Sequence, residues 1–156
     1  MLIRLLAAGT RLPDWIAAGY DEYAGRIGPE IRLELVEFPV THRGRSTDPA
    51  RARAEEGRRM LAGVDARMHV TTLDVRGRSM STEQLARWLA GRMNDGRNLA
   101  LLVGGPDGLD AACQQRADFI WSLSPLTFPH GLVRVMVAEQ IYRAQSLLRG
   151  HPYHRA

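Results

Sequence analysis

Two stretches in the second half of the chain decide the fold: LALLVGGPDGLD at residues 99–110 and FIWSLSPLTFPHGLVRVMVAEQIYR at residues 119–143. Each begins with an apolar run that enters a loop rich in glycine or proline, and a helical pattern follows each loop. A strand, a loop and a helix in succession are typical of parallel sheets. In such sheets, ligands bind at the loops that follow the carboxyl ends of the strands. The two loops are therefore the predicted binding site.

The rest of the chain continues this alternation. The sequence IRLELVEF alternates apolar and polar residues, which predicts a strand near a sheet edge, whereas the wholly apolar LALLV predicts a central strand. The predicted strands span residues 1–8, 31–38, 68–74, 99–103 and 119–123. The predicted helices begin near residues 13, 49, 82, 111 and 131. This alternation predicts an α/β fold, with a mainly parallel sheet of five or six strands and helices on both faces.

Local signals mark several element ends. Ser81 and Gln84 have the spacing of a capping box, and Asp110 can cap the short helix that follows it. A loop is predicted at 75–79, where VRGRS follows the third strand, and a mobile basic loop at 41–48. The last helix is predicted to run from about Gly131 to Leu148.

Composition indicates one soluble globular domain spanning residues 1–156, because 45% of the residues are hydrophobic and 24% are charged. The apolar runs are too short to span a membrane, and Arg4 interrupts the N-terminal run before a signal peptide could form. The single cysteine, Cys113, excludes an internal disulfide, fits the reducing cytoplasm and is expected to be buried. The five histidines show no metal-ligand spacing, so we expect no metal.

The charge of the chain is carried unevenly. All 21 basic residues are arginine, and the formal net charge is +4. One cluster comprises Arg43, Arg45, Arg51, Arg53, Arg58 and Arg59. Guanidinium groups bind phosphate and stack on bases, so a nucleic-acid partner is one interpretation. A solvent-exposed helix face with ion pairs explains the same cluster, and charge alone leaves both open.

The glycine-rich loop at 104–108 lacks the lysine of a phosphate-binding P-loop and does not match GxGxxG. Its glycines still let a ligand approach backbone amide and carbonyl groups closely. The loop at 123–131, LSPLTFPHG, adds hydroxyl groups. The two loops together suit a neutral planar group such as adenine. Two tight turns without a ligand are the alternative.

The last predicted helix is apolar around most of its circumference between Leu132 and Ala138. A surface helix needs only one apolar stripe, so this helix is expected to pack against the sheet and against a further surface. A second copy of the chain and burial within the same chain both provide such a surface. Glu139 and Arg143 are four residues apart, the spacing of a helical ion pair.

Three motifs closely resemble those of the small SPOUT methyltransferases of the RlmH type: VGGPDG, SLSPLTFPHGLVRVMVAEQIYRA and the terminal HPYHR. The resemblance covers the whole chain, including AAGTRLPDW near the N-terminus. It implies S-adenosylmethionine-dependent methylation of N3 of a pseudouridine in large-subunit ribosomal RNA. It also implies a cytoplasmic homodimer and a C-terminal trefoil knot, whose loops bind the cofactor.

The resemblance implies two groups of site residues. Those that bind the cofactor would be Leu73, Gly104, Leu123, Ser124, Pro125, Leu126, Thr127 and Phe128. Those with catalytic roles would be Glu139, Arg143, His154 and Arg155. Glu139, His154 or water would accept the proton that leaves N3. Arg134, Arg143 and Arg155 would hold the base or a phosphate. A frayed terminus is the alternative for the polar tail at 151–155.

Two functions of other classes stay open. A non-enzymatic RNA-binding protein of the ribosome needs the arginine cluster but neither loop. A nucleotide-binding or phosphate-transferring domain needs a lysine or a carboxylate pair for magnesium, and the loops offer only Asp107 and Asp110. Because the chain shows no separate RNA-binding domain, we expect an enzyme of this kind to act on an assembled ribosome.

Overall fold

The computed structural model describes residues 1–40 and 48–154, with only the backbone of His154. The strands within these ranges are β1 (Leu2–Ala8), β2 (Arg32–Phe38), β3 (His69–Ser79), β4 (Leu99–Val103) and β5 (Phe119–Ser122). The α-helices are α1 (Asp14–Ala24), α2 (Pro49–Ala62), α3 (Thr82–Asn94), α4 (Ala111–Arg116) and α5 (His130–Leu148), and a 3₁₀ turn spans Pro152–His154. The predicted basic loop lies outside the described residues, apart from Asp48.

The strands form one parallel sheet in the order β2-β1-β4-β3-β5. β4 is central and buried at every residue, as its wholly apolar sequence predicts. β2 lies at an edge, in agreement with its alternating sequence. The predicted α/β fold and parallel sheet are therefore confirmed, with five strands in the described part of the chain. The trefoil knot stays a prediction.

Two helix layers cover the two faces of the sheet. Leu5 and Leu101 lie in the core beneath α1, α3 and α5, whereas Leu6 and Leu102 lie in the core beneath α2. α4 packs beside α2. Successive residues of a strand point to opposite faces, which is why neighbours in β1 and β4 enter different cores. Each fully buried leucine stabilises the fold by about 2 kcal/mol relative to an exposed one.

The structure corrects the predicted end of the third strand. The loop predicted at 75–79 is strand, because β3 pairs with β5 up to Leu73 and again from Arg78 to Ser79 after a shift in register. The residues between form a bulge. Gly77 lies so close to β5 that a Cβ there would be 2.7 Å from the carbonyl oxygen of Ile120. The bulge therefore depends on glycine at this position.

The helix ends follow the local signals of the sequence. The Ser81 hydroxyl accepts a hydrogen bond from the Gln84 amide at 3.3 Å, and the Gln84 side chain accepts one from the Ser81 amide at 2.8 Å. This reciprocal pair is the predicted capping box of α3. The carboxylate of Asp110 caps α4 by accepting from the Ala112 amide at 3.0 Å.

Cys113 is buried, as expected, and its thiol lies 3.7 Å from the carbonyl oxygen of Gly57. Burial raises the pKa of this thiol to about 11, so it stays protonated at neutral pH. Among the described helices, none combines the length and the apolar character needed to cross a membrane.

Replacement of Ser81 by alanine tests the capping box. We expect S81A to lower the free energy of unfolding by about 1 kcal/mol, because the Gln84 amide at the start of α3 loses the hydroxyl that accepts its hydrogen bond. Urea denaturation measures the change. T82A, at the next position of the same turn, is the control and should change stability by less than about 0.5 kcal/mol. Equal effects of the two substitutions would contradict the capping role.

Candidate functional site

A cavity of about 760 Å³ lies at the carboxyl ends of β3, β4 and β5. The three strands are parallel, so the loops that follow them meet at one edge of the sheet. The cavity is lined mainly by these loops: Leu73, Asp74, Val75, Arg76, Val103, Gly104, Gly105, Pro106, Gly108, Leu109, Trp121, Leu123, Ser124, Leu126, Thr127, Phe128, Pro129, His130 and Val133. Most of its wall is apolar side chain and glycine backbone.

The turn after β4 is tightly closed. The Gly108 amide donates to the carbonyl oxygen of Gly105 at 2.9 Å, and Gly108 has a φ of 79°. A Cβ on Gly104 would lie 2.7 Å from both the Gly108 oxygen and the Leu109 nitrogen. Glycine at 104 is therefore needed for the turn to close beside the cavity.

The loop after β5 is held by side-chain hydroxyls. The Ser124 hydroxyl accepts a hydrogen bond from the Leu126 amide at 3.0 Å. The Ser122 hydroxyl lies 3.0 Å from the carbonyl oxygen of Ser124 and 3.2 Å from that of Val75, which ties this loop to the bulge of β3. The structure brings the predicted cofactor residues together here. All of them line the cavity except Pro125, which is exposed in the same loop.

Asp74 is the carboxylate of the cavity wall. Its Oδ1 accepts from the backbone and Nε of Arg76 at 2.9 and 3.0 Å, and its Oδ2 accepts from Arg76 Nη2 at 2.9 Å and Gln114 Nε2 at 3.1 Å. The Gln114 oxygen in turn accepts from the Thr72 hydroxyl at 3.1 Å. The hydrogen bonds from Arg76 lower the pKa of Asp74, which is ionised at neutral pH.

Arg134 lies outside the cavity lining, beside the carboxyl ends of β1 and β2. It is 1% exposed, and its Nη2 donates to the carbonyl oxygens of Ala8 at 2.6 Å and Gly9 at 2.7 Å. Its Nη1 pairs with Glu37. The prediction that Arg134 holds an RNA base or phosphate is wrong for this conformation, because the guanidinium is buried and bound to the chain itself.

Glu139, Arg143 and Tyr153 form a separate polar cluster. Nε and Nη2 of Arg143 lie 2.8 and 2.7 Å from Glu139 Oε1, which also accepts from the Tyr153 hydroxyl at 3.2 Å. The ion pair suggested by the sequence spacing is thus present. Burial raises the pKa of Tyr153 to about 12. The cluster does not line the cavity, and Glu139 is about 14 Å along the helix axis from His130.

The remaining predicted catalytic residues are at the end of the tail. Arg155 lies outside the described residues, and of His154 the structure describes the backbone alone. The 3₁₀ turn that contains His154 packs against α5 through Tyr153, whose ring centroid is 4.6 Å from that of Tyr142. Tyr153 is therefore packed against α5, whereas His151 and Pro152 are exposed.

Residues 1–154 match the family model described as "Predicted SPOUT methyltransferase". A protein of Alkalilimnicola ehrlichii named ribosomal RNA large subunit methyltransferase H is 61% identical over 156 residues, the full length of both chains. The chain belongs to the SPOUT methyltransferase family. Relatives of the same name from Thioalkalivibrio sulfidiphilus and Methylococcus capsulatus are 57% and 54% identical over 155 residues, 99% of this chain and 99% and 100% of theirs. The resemblance to the RlmH type is confirmed.

Two solved structures share the fold of this SPOUT methyltransferase. A methylase family protein from Haemophilus influenzae superposes with a TM-score of 0.58 at 12% identity, over 96% of this chain and 69% of the other. TrmJ from Z. mobilis gives 0.52 at 17% identity, over 93% and 69%. At these identities the likeness concerns the fold alone.

The last helix of this SPOUT methyltransferase is covered largely by its own chain. α5 packs against α1, α3 and the sheet, and Val137, Ala138 and Ile141 are fully buried there. Internal burial therefore explains most of the apolar circumference. Leu132 and Met136 are partly exposed on the remaining face, and Trp15 at the start of α1 is 62% exposed.

Three side chains of the site were not predicted from the sequence: Asp74, Gln114 and His130. Of these, His130 lines the cavity at the first residue of α5. The Pro-His-Gly sequence that ends the loop was the only signal for His130.

Within residues 1–40 and 48–154, no group of three or more histidine, cysteine, aspartate or glutamate side chains is arranged to hold a metal ion.

Replacement of Gly104 by alanine tests the turn. The added Cβ would overlap the Gly108 and Leu109 backbone, so we expect G104A to lower the free energy of unfolding by about 2 kcal/mol. Gly91 is the control, since it lies in α3 with no atom within 4 Å of an added Cβ. G91A should raise stability by about 0.5–1 kcal/mol. Urea denaturation measures both; unchanged stability of G104A would show that the turn is not constrained.

The pKa of Asp74 predicts a pH-dependent contribution to stability. Its pKa in the folded protein lies below the ordinary 3.8, so its contribution is present above that pH and is lost as the pH falls through the folded-state value. We expect D74N to be less stable than the unmodified protein at pH 7, and the difference to shrink below about pH 4. Urea denaturation at several pH values measures it. A difference independent of pH would contradict this reasoning.

Proposed function

We propose that this SPOUT methyltransferase methylates N3 of a pseudouridine in the RNA of the large ribosomal subunit, with S-adenosylmethionine as methyl donor. Full-length identity of 61% to a protein named ribosomal RNA large subunit methyltransferase H supports the RNA substrate. The choice of N3 and of the methyl donor follows from the motif resemblance. We further propose that residues 1–156 form a single domain that acts in the cytoplasm. The cavity at the ends of β3, β4 and β5 carries the proposal.

The residues of the cavity fit the proposed cofactor. A volume of about 760 Å³ is within the usual range of small-molecule sites, and apolar walls with a few polar groups are typical of them. Backbone groups at Gly104 and in the loop 123–128 are suited to hold adenine, and Leu73 and Phe128 to cover it. When bound, S-adenosylmethionine supplies a methyl group that its sulfonium already activates. The protein therefore needs mainly to orient the nucleophile and exclude water.

The target nitrogen carries a proton that must leave. Glu139 is one candidate acceptor, because Arg143 and Tyr153 fix the orientation of its carboxylate. His154 is the other candidate. Arg143 and Arg155 are suited to hold the base or a phosphate beside them. Glu139 and Arg143 belong to the polar cluster, which does not line the cavity of its own chain.

A homodimer resolves this separation. We infer that the tail and the Glu139 cluster of one copy meet the cavity of the other. The partly exposed Leu132 and Met136 of α5, together with the exposed Trp15 of α1, supply apolar surface for such a contact. In that arrangement each active site takes its cofactor loops from one chain and its proton acceptor from the other.

The RNA is proposed to approach over α2. Arg51 is exposed on this helix, and Arg53 extends to within 3.5 Å of the carbonyl oxygen of Asp107, at the turn that borders the cavity. Arg58 and Arg59 are instead paired with Glu55. Arginines beside the cavity suit the phosphate backbone, which positions the RNA without reading its sequence. An assembled ribosome would then supply the specificity through its shape.

Calorimetry with S-adenosylmethionine and a methyl-transfer assay on ribosomes test this function. We expect binding to a dimer, and transfer to ribosomes whose target is pseudouridine, with mapping of the methyl group to N3. A free RNA hairpin should react far more slowly. Tight binding of ribosomes without affinity for S-adenosylmethionine would favour the non-enzymatic RNA-binding protein instead.

Mixed dimers test whether the two chains share each active site. E139A removes the candidate acceptor, and T127W fills the cavity from its exposed wall. Each variant alone should be nearly inactive. After subunit exchange at equal amounts, half of the dimers are mixed and each contains one intact site, so about a quarter of the activity should return. Failure to regain activity, with exchange verified by mass, would place the whole site within one chain.

A further inference from the structure

Arg134 is a buried charge that the proposed chemistry does not use. It lies on the second turn of α5 and is among the largest fully buried side chains of the described part. Burial lowers its pKa, although Glu37 opposes this effect. Removing a guanidinium from water costs several kcal/mol unless its partners compensate. A hydrophobic side chain would fill this space at lower cost, so the charge calls for an explanation beyond packing.

The partners of Arg134 all lie where two strands end. Its Nη2 donates to the carbonyl oxygens of Ala8, the last residue of β1, and of Gly9. Its Nη1 pairs with Glu37, the penultimate residue of β2. Gly9 also donates its amide to the Phe38 oxygen at 2.7 Å. One guanidinium therefore joins the ends of β1 and β2 to α5.

The residues held in this way border the cavity. His130, one turn before Arg134, lines the cavity and directly follows its loop 123–129. A Cβ on Gly9 would lie 3.3 Å from His130 Nε2 and 3.2 Å from Arg134 Nη2, so the three groups are in close contact. Gly9 has a φ of 105°, a backbone conformation that favours glycine. In this conformation its carbonyl oxygen accepts the hydrogen bond from Arg134.

We propose that Arg134 is a positioning residue that fixes the first turn of α5, and with it the loop 123–129, in the geometry that binds the cofactor. The proposal rests on the proposed binding of S-adenosylmethionine. β1 and β2 are already paired up to Ala8 and Phe38, and the hydrogen bonds of Arg134 tie these two strand ends to the start of α5. A loop that binds through its own backbone needs its end held, because a shift of about 1 Å misaligns its hydrogen-bonding groups.

The test compares Arg134 with a matched arginine. Arg4 also pairs with a glutamate of β2, Glu34, at 3.0 Å and donates to a backbone carbonyl, that of Gly63, at 3.0 Å. It lies outside the cavity lining. Both arginines are replaced by methionine, and the dissociation constant for S-adenosylmethionine is measured by calorimetry at a temperature where each variant is folded.

We expect R134M to bind S-adenosylmethionine about tenfold more weakly, and R4M to stay within about twofold of the unmodified protein. R134K should recover part of the affinity, since its ammonium can reach a carbonyl oxygen but cannot hold both strand ends. Hydrogen exchange of the ligand-free proteins should be faster in R134M at residues 9–12 and 126–131, and unchanged there in R4M. Folded R134M with unchanged affinity and exchange overturns the proposal.

E37Q keeps the test decisive if R134M does not fold. It removes one charge from a partly exposed partner, and it should weaken binding about threefold and speed exchange at the same amides. Unchanged binding and exchange in E37Q would then overturn the proposal. If the unmodified protein binds no S-adenosylmethionine, the proposed function fails, whereas the exchange of residues 126–131 still decides the role of Arg134.

Discussion

The parallel pairing of β4 with β1 on one side and β3 on the other is the constraint on which the site depends. It brings the carboxyl ends of β3, β4 and β5 to one edge, where three separate loops meet around a single cavity. An antiparallel β4 would carry the turn at Gly104 to the opposite edge. The apolar cores on both faces stabilise this arrangement, because every residue of β4 is buried between them. The packing of the core and the assembly of the cavity therefore both depend on β4 running parallel to its neighbours.

Sequence reasoning predicted the features that depend on neighbouring residues. The capping box at Ser81 and the cap at Asp110 involve partners within three positions, and the strand order was constrained by how apolar each run is. The end of β3 was predicted wrongly because Arg78 pairs again with Trp121, more than forty positions away. The cofactor loop residues were identified because they are contiguous in a recognisable motif. Contacts such as Asp74 with Gln114 leave no such local signal.

The partners of the buried Arg134 were likewise not predictable from neighbouring residues. Arg134 lies within the apolar stretch from Leu132 to Ala138, and a charge in such a pattern calls for a partner. The sequence pattern could not identify this partner, because Ala8 and Gly9 are more than 120 positions away. Its position in a motif of an RNA-modifying family favoured a contact with RNA. The structure gives it a backbone contact instead, which makes it part of the scaffold that holds the loops.

The first turn and the middle of α5 serve different parts of the proposed reaction, and one continuous helix links them. Its first turn borders the cavity through His130 and is held by Arg134, whereas Glu139 and Arg143 lie about 2.5 and 3.6 turns beyond His130. α5 is a single helix from His130 to Leu148 and packs against α1 and α3 between these points. A displacement at Arg134 is therefore expected to shift Glu139 as well. In a homodimer the same helix would set the cofactor loops of one site and the proton acceptor of the other, so that one buried guanidinium aligns both.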